Sequence, residues 1–263
     1  MQGVAFHAGD DQWIGVNAPT RAGLLAEIET RLDVGRGFAV ATLNLDHIVK
    51  LRASEPFRRA YAAHSHVVAD GNPIVWASRL AGRPVELVPG CELVHPISAI
   101  AARHKAPVAL IGATERTLEL AAARLRARHP GLETPLCLSP RFGFDPEGPE
   151  ADACIERLRQ SGARICFIAL GAPKQEIFAT RARAALPEVG FVSVGAGLDF
   201  IAGTQRRAPR WMRRRALEWL WRAATDPKRL AIRYVRCALL MPGLTLDAMR
   251  GTGSVRTGEL QET

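Results

Sequence analysis

Residues 164–176 read Arg-Ile-Cys-Phe-Ile-Ala-Leu-Gly-Ala-Pro-Lys-Gln-Glu. The six residues after Arg164 form an apolar run without polar alternation, the pattern of a strand buried on both faces. Gly171-Ala-Pro173 breaks that run, and Lys174-Gln175-Glu176 opens a helix. A buried strand that feeds a helix through a Gly/Pro turn is the repeating unit of a parallel sheet.

Working outward, the same unit recurs. Phe38-Ala-Val-Ala-Thr-Leu-Asn reads as a buried strand ending at Thr42 and Asn44, and a helix follows from about Asp46, broken near Pro56. His66-Val-Val-Ala is a second strand, stopped by Asp70-Gly71, after which Asn72-Pro73 supplies a cap and a first-turn proline. Pro107–Gly112 and Thr134–Leu138 are further strands, separated by an Ala/Leu/Arg-rich helix over 115–128. A Gly/Pro-rich loop leads to a helix over 149–160, and Gly190–Val194 is the last strand. Ahead of them all, Thr20 caps a helix carrying Leu24, Leu25, Ile28 and Leu32. The reading is α/β, a mostly parallel sheet with helices on both faces.

With 263 residues, 48% of them hydrophobic and 23% charged, the chain has room for one sizeable α/β domain with an appendage. No run approaches the roughly 18 apolar residues of a membrane-spanning helix. The start, MQGVAFHAGDDQW, has no basic stretch followed by an apolar one, so no secretory signal is expected. Five cysteines at 91, 137, 154, 166 and 237, with no CxxC, suit reduced thiols in the cytoplasm and argue against a zinc site.

Ligands of open parallel sheets collect beyond the carboxyl ends of the strands. The polar clusters of this chain fall there: Thr42/Asn44, Asp70, Gly112–Glu115, Gly171–Glu176 and Gly195–Asp199. In Gly171-Ala-Pro173-Lys174-Gln175-Glu176 the free N–H groups of a helix start and a lysine favour an anion, while Gln175 and Glu176 can bond sugar hydroxyls. The plainer alternative is a turn with a surface lysine. Gly112-Ala-Thr114-Glu115 has the same form, though Thr114 can simply cap a helix. Asp70 is either a general base or a cap at the start of a helix. His64 and His66, flanking the same strand, read as surface histidines. A GxxxxGK[ST] loop and a GxGxxG fingerprint are both absent, although Gly195 and Gly197 supply two glycines of the latter. No D-x-D occurs to hold a nucleotide-sugar metal, so a departing diphosphate would need Arg, Lys or helix N-termini.

The charge is concentrated near the end. Residues 203–236 carry eleven Lys/Arg against two acids, Glu218 and Asp226, which equals the whole formal net charge of +9. Trp211, Trp219 and Trp221 lie among them. We read two helices, one over about 209–223 and one starting at Asp226-Pro227 and running to about Met241, with Leu230, Tyr234, Cys237, Ala238 and Met241 on one face. Basic helices with tryptophan at the boundary suit an anionic membrane surface. A nucleic-acid-binding α/β module is the rival reading, disfavoured because no nucleic-acid motif accompanies the charge. A nucleotide-cofactor dehydrogenase or epimerase is a third.

Seven short motifs occur in one order: T-L-N (42–44), A-D-G-N-P (69–73), G-A-P-K-Q-E (171–176), G-A-G-L-D-F-I-A-G (195–203), R-A-P (207–209), L-E-W-L-W-R (217–222) and D-P-K-R (226–229). Together they resemble the WecG/TagA/CpsF glycosyltransferases over about residues 13–241. The resemblance implies a Rossmann-like core (1–202) with a C-terminal helical appendage (203–245), which its charge marks as membrane-binding, and the residues beyond (246–263) read as a disordered tail. It implies inverting transfer of an N-acetylmannosamine-, uronic-acid- or hexose-type sugar from a UDP-sugar to a polyprenyl-diphosphate-linked saccharide. The setting it implies is cell-surface polysaccharide synthesis, peripheral on the inner face of the plasma membrane. No cofactor, metal or nucleic acid is implied, and a homo-oligomer is allowed.

Carried over by position, Asp70 resembles the general base, with Thr42 and Asn44 beside it. Gln175 resembles a donor-site residue. The donor set is then Gly112, Thr114, Glu115, Gly171, Pro173, Lys174, Gln175, Glu176, Gly195, Gly197 and Asp199. Arg222, Arg229 and Arg233 resemble appendage arginines that close over the diphosphates, with Arg207 and Arg210 as further acceptor or membrane contacts. Arg213, Arg214 and Lys228 are the expected lipid anchors. One departure stands out: many relatives carry an arginine before Pro89-Gly90-Cys91, where this chain reads Glu86-Leu87-Val88, and Arg79 or Arg83 is a candidate substitute.

Overall fold

The computed structural model describes residues 3–225 and 227–250, with side chains described for all of these except 214, 222, 225, 227–236 and 248. In chain order it contains β1 (Ala5–Gly9), β2 (Gln12–Gly15), α1 (Arg21–Asp33), β3 (Phe38–Leu43), α2 (Leu45–Ala53), α3 (Glu55–Ala62), β4 (His66–Ala69) and α4 (Asn72–Leu80). Next come α5 (Gly90–Arg103), β5 (Val108–Gly112), α6 (Glu115–Arg128), β6 (Leu136–Leu138), α7 (Pro149–Gln160), β7 (Ile165–Ala169), α8 (Lys174–Ala185) and β8 (Gly190–Ser193). The described chain closes with α9 (Gly197–Ala202), α10 (Arg210–Arg214), α11 (Glu218–Thr225) and α12 (Pro227–Arg250).

Six strands form one all-parallel sheet in the order β4-β3-β8-β7-β5-β6, a Rossmann-like arrangement. Their apolar runs divide by alternation between two layers. Phe38, Val40, Val108, Leu110, Ile165, Phe167 and Val192 pack under α1, α5, α6 and α9. Ala39, Ala109, Ile111, Cys166, Ile168 and Phe191 pack under α7 and α8. Each fully buried phenylalanine of the sheet contributes about 2–3 kcal/mol by area.

The direction of the connections changes at β5 and β7. From β5 the chain steps outward to β6, whereas from β7 it steps the other way, to β8. The loops after these neighbours therefore part and leave a crevice between them. Gly112 makes the close approach possible. Its φ is +100°, and a Cβ there would drive into the Ala169 carbonyl of β7. Gly112→Ala combines a strained φ with a backbone clash, and is expected to cost about 1–3 kcal/mol of stability. A chemical denaturation midpoint equal to that of the parent would show that the two loops yield freely.

Several elements differ from the sequence reading. A two-stranded antiparallel hairpin, β1–β2, precedes the sheet and was not expected. Helix α5 was not expected either. Gly71, not Asn72, is the residue before α4, and it offers no side-chain cap. The helix expected over 209–223 is two, because Ala216 adopts φ +60° between α10 and α11. Helix α12 runs through Pro242 to Arg250, so residues 246–250 of the expected disordered tail are helical. The remainder, 251–263, and the cap expected at Asp226 lie outside the described residues. The far end of α12 belongs to a third core, in which Cys237 and Leu244 are buried with Val4, Phe6, Ile14, Ile48 and Ile74.

Candidate active site

Asp70 follows β4, and its backbone N–H donates to the Leu43 carbonyl at 2.7 Å, so it lies level with Asn44 after β3. The Asn44 side chain is committed to its own helix, accepting from the His47 N–H at 3.0 Å as the cap of α2. Thr42 is buried at 4% exposure. Above it the N-terminus of α5 descends onto the sheet: a Cβ at Gly90 would lie 2.8 Å from the Ser193 carbonyl and 3.0 Å from the Thr42 methyl. Cys91 follows, its thiol pushed up to about 12 by burial, with Arg207 opposing and Asp70 adding to the shift. The trio Thr42, Asn44 and Asp70 is thus brought together, on β3 and β4 under the head of α5.

The donor-turn residues separate into those that face the crevice and those that hold it. Gly171 is exposed, and Lys174 and Pro173 are half-buried at the head of α8. Gln175 is 3% exposed and reaches across to β8, where its Oε1 accepts from the Gly195 N–H at 3.3 Å. Glu176 is fully buried, and its Oε1 accepts from Gln175 Nε2 at 2.7 Å. Its carboxyl turns inward, away from the solvent side where a sugar hydroxyl would sit. Burial raises its pKa to about 7, with the Gln175 hydrogen bond and Lys50 pulling the other way.

Thr114 caps α6 through the Thr117 N–H and bonds the Thr117 hydroxyl at 2.9 Å, the plainer of its two roles. Glu115 is exposed beside it. Gly197 starts α9, and the Asp199 carboxylate accepts from the Thr204 hydroxyl at 3.1 Å, holding the turn that leaves α9.

Sequence reasoning missed a polar cluster beneath the site. Lys50 on α2 donates to the Ala172 carbonyl at 3.0 Å and pairs with Asp46 at 2.8 Å. Tyr61 of α3 is fully buried with its hydroxyl 2.6 Å from His47 Nδ1, and burial, Glu176 and Asp70 together hold its pKa well above the usual value. The i,i+4 spacing of Asp46 and Lys50 was the available signal. Nothing local marked Tyr61.

His64 and His66 are not surface residues: they are 4% and 7% exposed. His64 Nδ1–H donates to the Ala60 carbonyl, which fixes its tautomer. Burial brings both rings down to about 4 from 6.5. Histidines kept neutral in the fold contribute stability that is complete above pH 6.5 and lost as pH falls through 4. Glu176 acts in the opposite sense. Its raised pKa favours the fold below pH 4.5, and that contribution is lost as pH rises through about 7. The two and a half units between its free and folded values correspond to about 3 kcal/mol. Glu176→Gln is therefore expected to raise the melting temperature relative to the parent at pH 8 and not at pH 4.5. A difference independent of pH would show that the carboxyl has the same pKa folded and unfolded.

The appendage is tied to the core by Arg207. Its guanidinium lies 2.9 Å from Glu92 on α5 and 3.4 Å from Glu218 on α11, and Glu92 also binds Arg21 at 2.6 Å. Arg213 is held as well, by the Ala208 carbonyl and by Glu92 at 3.5 Å. Arg207 and Arg213 thus join α10 and α11 to α5, while Arg210 is exposed at the head of α10. The side chains of Arg214, Arg222, Lys228, Arg229 and Arg233 lie outside the described ones.

Leu87, where the resemblance leads one to expect an arginine, bridges to Ala69 on the outer edge of β4, one residue from Asp70. The missing cation is therefore missing beside the candidate base. Arg79 and Arg21 line an open cleft of about 550 Å³ with Leu87, whereas Arg83 is directed at the Gly3 carbonyl. Of the two expected substitutes, Arg79 has the better position.

Compared with known families, residues 13–252 match the model described as Glycosyl transferase WecG/TagA/CpsF family.

Proposed function

The chain belongs to the WecG/TagA/CpsF glycosyltransferase family, and on that premise we propose that it transfers a sugar from a UDP-sugar to a polyprenyl-diphosphate-linked saccharide, with inversion. The family works in the synthesis of cell-surface polymers. The observation that carries the finer reading is the convergence of helix N-termini on one end of the sheet. Helices α2, α4, α6 and α8 each begin beyond the carboxyl end of the strand they follow, and α5 begins over Thr42 and Ser193 at the same end of the sheet. Aligned N-termini favour a diphosphate, and a carboxylate at their edge suits abstraction of an acceptor hydroxyl proton.

In this mechanism the UDP moiety lies across the Gly112–Glu115 and Gly171–Gln175 turns. Asp70 takes the proton of the acceptor hydroxyl as that oxygen attacks the anomeric carbon from the face opposite the leaving UDP. The charge developing on the diphosphate is met by the helix N-termini and Lys174, with appendage arginines closing from above. No metal has a step in this scheme.

The acceptor is lipid-linked, and the exposed apolar groups support an orientation on a membrane. Trp211, Trp219 and Leu220 on the appendage are about half exposed, as is Trp76 on α4, against which α12 packs; Leu239 and Leu246 on α12 are exposed too. Among the described residues no helix is long and apolar enough to cross a membrane. We read the protein as lying on the inner face of the plasma membrane through this surface. A UDP-release assay over a panel of UDP-sugars, with a polyprenyl-diphosphate sugar as acceptor and chelator present, tests the proposal. Acceptor-dependent release with one donor is expected. The absence of release with every donor would overturn it.

A further inference from the structure

The Gln175 side chain forms a bridge whose orientation depends on its neighbour. A backbone N–H can only donate, so the amide oxygen must face Gly195 and the amide nitrogen must face Glu176. The Gly195 N–H and the Glu176 carboxyl hold the amide from its two ends, so loss of the acceptor at position 176 removes one of the two bonds that fix it. Glu176 is fully buried, and its second oxygen, Oε2, has no hydrogen-bond partner among the described residues. Buried polar atoms are rarely left without partners, and an apolar side chain of this size would pack at lower cost. The carboxyl must therefore do something that an apolar residue cannot.

We propose that Glu176 is a positioning residue of the donor site, which locks the Gln175 amide across the ends of β7 and β8 so that the Gly171–Pro173 turn and the Gly195–Gly197 turn form one rigid cradle for a nucleoside diphosphate. The inference rests on the donor reading above. Without the lock the amide is held at its oxygen end alone, the bond to the Gly195 N–H weakens, and the tie between the two turns loosens. The charged and titratable groups around the lock are Lys50 and His47 on α2, Tyr61 on α3, Asp70 after β4 and Lys174 on α8 itself. Burial leaves the carboxyl changing charge near pH 7. Above that pH a negative charge stands beneath a site built for an anion, so ligand affinity falls.

Calorimetric titration with UDP at pH 6, 7 and 8 tests this with the parent and with Glu176→Gln, Glu176→Leu, Gln175→Ala and the Gln175→Ala/Glu176→Leu double variant. Glu176→Gln keeps an acceptor at that position. It is expected to bind UDP as the parent does at pH 6, and to lose the part of the pH dependence that exceeds the titration of UDP itself. Glu176→Leu is expected to weaken UDP about tenfold, the effect of one lost hydrogen bond, without a lower melting temperature. Gln175→Ala is expected to lose as much, and the double variant no more than either single one. Parent-like affinity in Glu176→Leu, or losses that add in the double variant, would overturn the lock. If Glu176→Leu does not fold, the Glu176→Gln profile decides, and a pH dependence equal to the parent's overturns the proposal. A parent protein that binds no UDP overturns the donor reading, and the inference with it.

Discussion

Asp70→Asn is expected to fold like the parent and to lose roughly 10²–10⁴-fold in transfer rate, the range for a general acid–base group. The substitution preserves shape and leaves the backbone bond from residue 70 to Leu43 intact, but a carboxamide cannot take the acceptor proton. The loss should fall on kcat, with UDP affinity unchanged, because the donor cradle is built on β5, β7 and β8 rather than β4. Turnover within about tenfold of the parent would remove Asp70 from the reaction. The sequence left a second role open, as a cap at the start of α4. In the structure Gly71 is the residue that precedes that helix, and it has no side chain to cap it.

The second large effect is expected far from that carboxylate. Leu244→Ala should destabilise the protein by about 2–5 kcal/mol, as large-to-small changes in a packed core do. Leu244 is 1% exposed, in the core shared by α12, α2, α4 and the β1–β2 hairpin. Were the end of the chain a loosely attached membrane anchor, this substitution would be silent in urea denaturation. A parent-like midpoint would return α12 to that role. The same packing bears on truncation. Removing the chain beyond Thr204 strips a face from this core, so lost activity in such a variant reports lost stability as much as lost lipid contact.

What could be read from the sequence follows from how each element is stabilised. Most of the parallel strands were legible because they are buried on both faces, as the apolar runs of Phe38–Leu43 and Ile165–Ala169 show, whereas β6 at the edge is only partly buried. The hairpin was not. Its turn uses Asp10 and Asp11 at φ +46° and +55° in place of the expected Asn-Gly or Asp-Gly, and a register shift interrupts the alternation. Helix α5 begins at a glycine and contains Pro96, and α12 contains Pro242, two residues that ordinarily argue against a helix and are overridden here by tertiary packing. The candidate site divides in the same way. Asp70, Thr42 and Gln175 could be singled out because motifs mark them. The inward turn of Glu176, the burial of His64 and His66, and the Lys50–Tyr61 cluster depend on which helices meet, and no local pattern encodes that.

The core that holds Leu244 also holds Val4 and Phe6, so the first strand and the last described helix of the chain are packed against each other. Arg52 on α2 clasps Asp247 at 2.5 Å on the same seam. During synthesis the hairpin can pack on α2 early, but the face it turns to α12 stays uncovered until residues 227–250 have been made. The layers over β5, β7 and β8 draw on nearer partners and can assemble earlier. Maturation is therefore ordered, with the half bearing Asp70 completed last. A nascent chain lacking α12 has a sheet but an open apolar flank beside the hairpin.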